Sequence, residues 1–170
     1  AGLPEGASEA ARSLAKSQEK EGWIFTLDHP SYIPFVTYAD NRELRKKMAI
    51  AFGARAFHNN EYDNQEIVLK IAKLRFERAN LLGYKTHAHF VLEERMAENP
   101  EKVKTFLSDL LAKAKPAAER EFKQLTQFAK ELDGIEQLEK WDGAYYSEKL
   151  KQQLFNLDDE KLKPYFQLEK

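Results

Sequence analysis

Cysteine is absent from all 170 residues. That excludes disulfides, thiolate nucleophiles and Cys-type zinc sites, and it is compatible with a reducing compartment. No apolar run approaches the roughly 20 residues of a transmembrane helix, and no signal-peptide pattern stands at the start. An excess of either charge is also missing. Lys and Arg number 27 against 28 Asp and Glu, a net charge of −1, so no field draws the chain to nucleic acid or an anionic membrane. There is no Gly-rich phosphate loop, no internal repeat, no low-complexity tract and no domain linker. Only seven glycines occur, while Ala, Leu, Glu, Lys and Gln are abundant, which favours helix. The length suits one domain that buries about 70% of its unfolded surface.

The punctuation predicts a succession of helices. Ala7, Ala10, Ala11, Leu14 and Ala15 share one face of a helix over 4–20, with Pro4 in its first turn and Gly22 at its stop. Trp23–Leu27 is the one extended-looking segment, and a lone short strand needs a partner. Asp28-His29-Pro30 reads as a turn. Asp40 and Glu43 resemble a capping box for a helix carrying Leu44, Met48, Ala51, Phe52 and Arg55. Asp63 and Glu66 repeat that start for a broad apolar helix from Ile67 to Leu82, ended by Gly83. Asn99-Pro100 opens another helix, which Pro116 should kink or break and Gly134 should end. Asp142 and Asp158 are expected to cap two shorter helices. The fold class expected is all-α, an irregular multi-helix bundle with at most one short extended segment.

The candidate chemistry is thin. His29, His58, His87 and His89 are the only histidines, and a zinc site needs three or four ligands converging on one tetrahedron. His87 and His89 stand two apart on an expected helix, about 200° around its axis, and cannot share an ion without unwinding. The acid clusters Glu93-Glu94 and Asp158-Asp159-Glu160 read as solvated helix faces. Asp28, His29 and Ser31 contain triad residue types, but proximity in sequence is not triad geometry. Aromatic residues gather at Trp23, Phe25, Tyr32, Phe35 and Tyr38, and again at Trp141, Tyr145, Tyr146, Phe155, Tyr165 and Phe166. They suit core packing plus a docking surface better than a wall for peptide side chains. No catalytic, cofactor-binding or metal residue is assigned.

One resemblance is collinear along nearly the whole chain. Gly2-Leu3-Pro4-Glu5, Phe25-Thr26-Leu27-Asp28, Pro30-Ser31-Tyr32-Ile33-Pro34-Phe35 and Thr37-Tyr38-Ala39-Asp40-Asn41-Arg42-Glu43-Leu44-Arg45 come first. Asp63-Asn64, Leu81-Leu82-Gly83-Tyr84 and Met96-Ala97-Glu98-Asn99-Pro100-Glu101 continue the series. Trp141-Asp142-Gly143-Ala144-Tyr145-Tyr146-Ser147-Glu148-Lys149-Leu150 follows, then Leu157-Asp158-Asp159-Glu160 and Leu162-Lys163-Pro164-Tyr165-Phe166. Together they resemble the zinc metallopeptidase family of oligopeptidase A, bacterial peptidyl-dipeptidases, thimet oligopeptidase and neurolysin.

The resemblance implies a largely helical, zinc-dependent peptidase with a deep channel for short peptides, in which the glutamate of a His-Glu-x-x-His helix is the general base. That motif occurs nowhere in these residues, and the family places it downstream of the position matching Lys170. Residues 1–170 are therefore expected to be a single scaffold segment, inactive alone and without zinc of its own. Its partners would be short peptides, in the parent enzyme, and the remainder of its own polypeptide. The compartment implied is cytoplasmic, and the favoured subtype is a peptidyl-dipeptidase. Two positions depart from the family pattern. Gly143 replaces a larger apolar residue, which should weaken packing, and His89 stands where an acid is common.

Two rival readings remain open. A free-standing helical interaction module would close its own core beneath a polar surface. A fragment would expose an apolar patch, expected near Trp141, Tyr146 or Phe166. A metal enzyme using His58, His87 and His89 has no support in their spacing.

Overall fold

The computed structural model describes residues 1–157 together with Leu162, Tyr165 and Phe166. The described residues form seven helices and no strand: α1 (Glu5–Ser17), α2 (His29–Tyr38), α3 (Arg42–Gly53), α4 (Gln65–Leu81), α5 (His87–Leu92), α6 (Pro100–Asp133) and α7 (Gly143–Phe155). The all-α class is as expected. The expected Asp158 cap lies outside the described residues.

Several helix boundaries follow from local chemistry. Asn99 Oδ1 accepts the Lys102 backbone N–H at 2.9 Å, and Pro100 occupies the first helical position of α6, where a missing N–H costs nothing. α4 closes with Gly83 in the left-handed region (φ 86°). The Tyr84 N–H reaches Ala79 O at 2.9 Å and the Gly83 N–H reaches Asn80 O at 3.0 Å, a Schellman stop. Gly134 (φ 70°) ends α6.

Elsewhere the expectations shift. α1 starts after Pro4 and stops at Glu19 (φ 55°), not at Gly22. The Lys20 and Glu19 N–H groups bond Ala15 O at 2.9 Å and Lys16 O at 3.0 Å, so a glutamate takes the place glycine usually fills. The cap of α3 is Asn41, whose Oδ1 accepts the Leu44 N–H at 3.0 Å; Asp40 serves elsewhere. Pro116 does not break α6. The Asp28-His29-Pro30 turn opens a helix, α2, with Pro30 in its first turn and Pro34 inside it. Trp23–Leu27 has no strand partner and is tied by Ile24 N–H to Ala11 O at 3.0 Å.

The residues cluster into two compact units, Ala1–Gly53 with Phe122–Lys170, and Ala54–Glu121. In the first, α2 packs against α1, α3 and α7. Its core joins Phe128 and Ala129 of α6 to Tyr145 and Tyr146 of α7, with Leu125, Ile135, Leu138 and Leu150 around them. In the second, α4 packs against α5. There Phe90 lies edge-on to Tyr84 at 5.2 Å and beneath the Arg78 guanidinium at 5.0 Å.

Candidate functional site

The first unit holds a buried ionic cluster assembled from two distant stretches. Arg42 and Arg45 lie one helical turn apart on α3, so both project toward the same neighbour. That neighbour is Asp142, at the N-terminal boundary of α7, whose side chain is fully buried (0% exposed). Arg42 grips it with two hydrogen bonds, Nε to Oδ1 at 2.9 Å and Nη2 to Oδ2 at 2.6 Å. Arg45 Nη2 adds a contact to Oδ1 at 3.3 Å, and the Glu139 backbone N–H donates to Oδ2 at 3.0 Å. Asp142 was expected to cap α7, yet it makes no side-chain cap bond there. Two guanidinium groups offer more than one backbone N–H can.

Arg45 is itself buried, and four of its five N–H donors have partners. Nη1 donates to Ala39 O at 2.8 Å and to Asp40 O at 3.1 Å, and Nε donates to Trp141 O at 3.2 Å. Its guanidinium lies 3.9 Å from the centre of the Tyr145 ring, a cation–π contact in a desolvated place. Two hydroxyls extend the network. Tyr145 Oη donates to Asp40 Oδ1 at 3.2 Å, and Tyr146 Oη donates to Asp133 Oδ2 at 2.9 Å.

These contacts set the ionisation. Burial alone would raise the Asp142 carboxyl, but the hydrogen bonds from Arg42, Glu139 and Arg45 and the Arg42 charge outweigh it and hold it below its ordinary value. The hydrogen bond to Asp142 raises Arg42 in turn. Burial, then the bond to Asp133, pushes the Tyr146 phenol well up. Burial and the nearby Asp40 charge raise Tyr145. Asp142 is held by both guanidinium groups and a backbone N–H, and the network presents no nucleophile beside a base. The cluster fastens α3 to the start of α7; it is not built for bond-making.

The other candidates from the sequence are dispersed. Ser31 Oγ accepts the Thr26 N–H at 2.9 Å and Asp28 Oδ2 accepts the Thr26 hydroxyl at 3.0 Å, while His29 faces Phe52 at 5.9 Å. No triad forms from them. His89 Nδ1 sits 2.8 Å from Thr86 Oγ1, and its Nε2 is 3.8 Å from Glu101. Glu93 accepts the Tyr84 hydroxyl, while Asp158-Asp159-Glu160 lies outside the described residues. Among the described residues no group of three or more His, Asp or Glu is placed to hold a metal ion. The donor set does not fit zinc. Asp63, expected to start α4, does gather the local donors: the Gln65 backbone N–H at 2.8 Å, the Gln65 side chain at 2.9 Å and the Asn59 N–H at 2.6 Å. They lower its carboxyl to about 2.

Sequence reasoning missed Arg42 and Arg45 altogether. The available signal was a pair of arginines three apart, and so one turn from each other, on α3. A cavity of about 440 Å³ lined by Arg12, Trp23, Phe25, Phe35 and Leu44 also lies in this unit. Of the positions where an apolar patch was expected, Phe166 lies exposed (78%), as do Phe155 and Tyr165, but Tyr146 does not (1%). The larger exposed apolar surface is on α4 and the first half of α6, in Ala54–Glu121.

Comparison with known proteins gives this arrangement its relatives. The model of Peptidase family M3 matches residues 35–170. The chain is 47% identical over 170 residues to oligopeptidase A of Salmonella typhimurium (strain LT2), covering 98% of this chain and 25% of that protein. It is 30% identical over 178 residues to saccharolysin of Saccharomyces cerevisiae, covering 99% and 24%. Against dipeptidyl carboxypeptidase of Escherichia coli (strain K12) it is 29% identical over 162 residues, covering 95% and 23%. The chain spans about a quarter of the length of these curated relatives.

Proposed function

This chain belongs to Peptidase family M3, and on that footing we propose that residues 1–170 form one scaffold segment of a zinc-dependent oligopeptidase acting on short peptides. The carrying observation is the 47% identity to oligopeptidase A over 98% of the chain. The buried Arg42–Arg45–Asp142 cluster supports a structural role, because its groups are consumed in holding helices together. Zinc and the general base belong to another part of the parent polypeptide, a reading supported by the described residues, which do not fit a zinc site. The isolated chain is accordingly inactive. Of the two subtypes, 47% identity to oligopeptidase A against 29% to dipeptidyl carboxypeptidase favours an oligopeptidase over the peptidyl-dipeptidase expected from the sequence. A cytoplasmic location is part of the same proposal and rests on the relatives.

The exposed apolar helices favour this reading over a free-standing interaction module, which would close its own core. The test has two parts. The open reading frame beyond Lys170 should contain a His-Glu-x-x-His motif. The full-length protein should hydrolyse short peptides, lose that activity to a chelator and regain it with zinc. The purified 170-residue chain should retain no zinc and cleave nothing. Stoichiometric zinc on that chain, with chelator-sensitive hydrolysis, would overturn the proposal.

A further inference from the structure

The cavity of the first unit is walled by three helices and the stretch between two of them. Ser8 and Arg12 stand four apart on α1 and so share one of its faces. Trp23 and Phe25 come from the extended stretch before α2, Phe35 from α2 and Leu44 from α3. Phe25 stands edge-on to Phe35 at 4.6 Å, which gives the cavity an aromatic wall. The volume of about 440 Å³ lies within the range of small-molecule pockets, roughly 300–1,000 Å³. The few polar groups in this apolar lining can all donate. Arg12 is the one charged side chain among the described lining residues. It lies 5.5 Å from the centre of the Trp23 ring and has no acidic partner among the described residues. Asn41 also lines the cavity; its Oδ1 accepts the Leu44 N–H at 3.0 Å, which leaves Nδ2 as a donor.

We propose that this cavity binds a small monocarboxylate with an aromatic or branched apolar body. The body displaces water from the aromatic lining, and the carboxylate meets the exposed Arg12 guanidinium, whose planar fork suits two carboxylate oxygens. Charge selects this ligand over its neighbours in chemistry. A hydrocarbon or an amide leaves Arg12 unanswered, and a cation is repelled by it. A free amino acid carries an ammonium into a lining with no Asp or Glu side chain. A phosphate ester sets a strongly hydrated anion against mostly apolar walls. Arg42 and Arg45 are already bound to Asp142, whereas Arg12 holds only the face of Trp23. The site does not depend on the peptidase reading, because its described lining lies wholly within Ala1–Gly53.

The test uses the full-length protein with 5-fluorotryptophan in place of tryptophan, read by fluorine NMR. Trp23→Phe assigns the Trp23 signal by removing it. 3-Phenylpropionate, 3-phenylpropanamide and acetate are then titrated at constant ionic strength. The aromatic acid should move the Trp23 signal along a saturable curve with half-saturation below about 10 mM, weak because the ligand is small. The amide on the parent, and the acid on Arg12→Gln, should each bind at least about fivefold more weakly. Arg12→Lys keeps the charge without the fork and should fall between Arg12→Gln and the parent. An unmoved Trp141 signal in both variants confirms that they are folded, and the comparison of acid with amide needs no variant. A Trp23 signal that stays still throughout the titration would overturn the proposal and mean that the intact protein fills or covers the cavity. Equal affinity for acid and amide, or an unchanged response in Arg12→Gln, would overturn it too. Saturation by acetate would reveal an adventitious anion on an exposed arginine and would have the same consequence. Peptide hydrolysis by the same preparation is scored separately, and none of these outcomes alters that reading.

Discussion

In the unit made from Ala1–Gly53 and Phe122–Lys170, the largest fully buried side chains are an arginine, a tyrosine and an aspartate. In Ala54–Glu121 the exposed side chains of α4 include isoleucines, leucines and a phenylalanine. One region hides its charges and the other displays its apolar groups. Hidden charges are tolerated where each finds its counterpart within the same unit, as Asp142 finds Arg42 and Arg45. Displayed apolar groups have no counterpart among the described residues. The first region pairs its buried charges internally, whereas the second leaves apolar side chains of α4 exposed.

The sharpest way to break this comparison is at the buried acid. Asp142→Ala should cost about 3–5 kcal/mol, because two guanidinium groups lose the anion that compensates them; urea denaturation read by circular dichroism measures it. Acid should act in the same direction. The folded state holds Asp142 below its ordinary value, so its contribution is present above pH about 4 and is lost as pH falls through the folded-state value. Midpoints collected from pH 6 down to pH 2 should show that loss in the parent chain and a shallower one in Asp142→Asn. Equal slopes would mean the cluster is not coupled to folding.

The next effect tests the other side of the comparison. Leu69→Ala should change the stability of the 170-residue chain by no more than about 0.5 kcal/mol, as expected for an open surface. In the full-length protein the same change should cost about 2–5 kcal/mol, the range for a packed leucine. Similar values in both contexts would remove the distinction between the two regions.

Tyr146→Phe should cost about 1.5–3 kcal/mol, for a hydrogen bond to a charged acceptor. The phenol is raised in the folded state, so its contribution is complete below pH about 10 and is lost as pH rises through the folded-state value. Alkaline unfolding of the parent, followed by tyrosinate absorbance, should lose that component in the variant. The smallest effect is expected at Gly143. A Cβ there meets nothing within 4 Å, so the larger residue typical of the family is not required for packing among the described residues. Gly143→Ala should raise stability by about 0.4–1 kcal/mol through the unfolded chain, measurable as a shift in Tm. A loss would show that the position is crowded after all.

What could be read from the sequence was local. Asn99-Pro100, Gly83 and Gly134 each act on atoms within a few residues, and their helix ends fall where the pattern put them. Glu19 could not be foreseen as the stop of α1, because a left-handed glutamate is held by the hydrogen bonds around it rather than by its own preference. Asp142 illustrates the larger limit. Its position announced a cap, but its partners are about 100 residues earlier, and nothing in the neighbourhood of Trp141 names them. Asp40 was misread for the same reason: its carboxylate accepts from Tyr145, so the cap passed to Asn41. The all-α class and the apolar character of the 67–82 segment were legible. Which aromatic residues stayed outside was not, since burial depends on who folds over whom.

The Arg45–Asp142 contact spans 97 positions of the chain. At roughly 5–20 residues per second, a ribosome needs about 5–20 s to travel that distance. During that interval the N-terminal stretch holding Arg42 and Arg45 exists without its anion, and the first unit cannot close. Every residue of Ala54–Glu121 is synthesised within the same gap, with its apolar helix exposed to whatever is nearby. The nascent chain thus passes through a window in which neither half is protected, and that window is the stage at which a holding chaperone has the most to offer it.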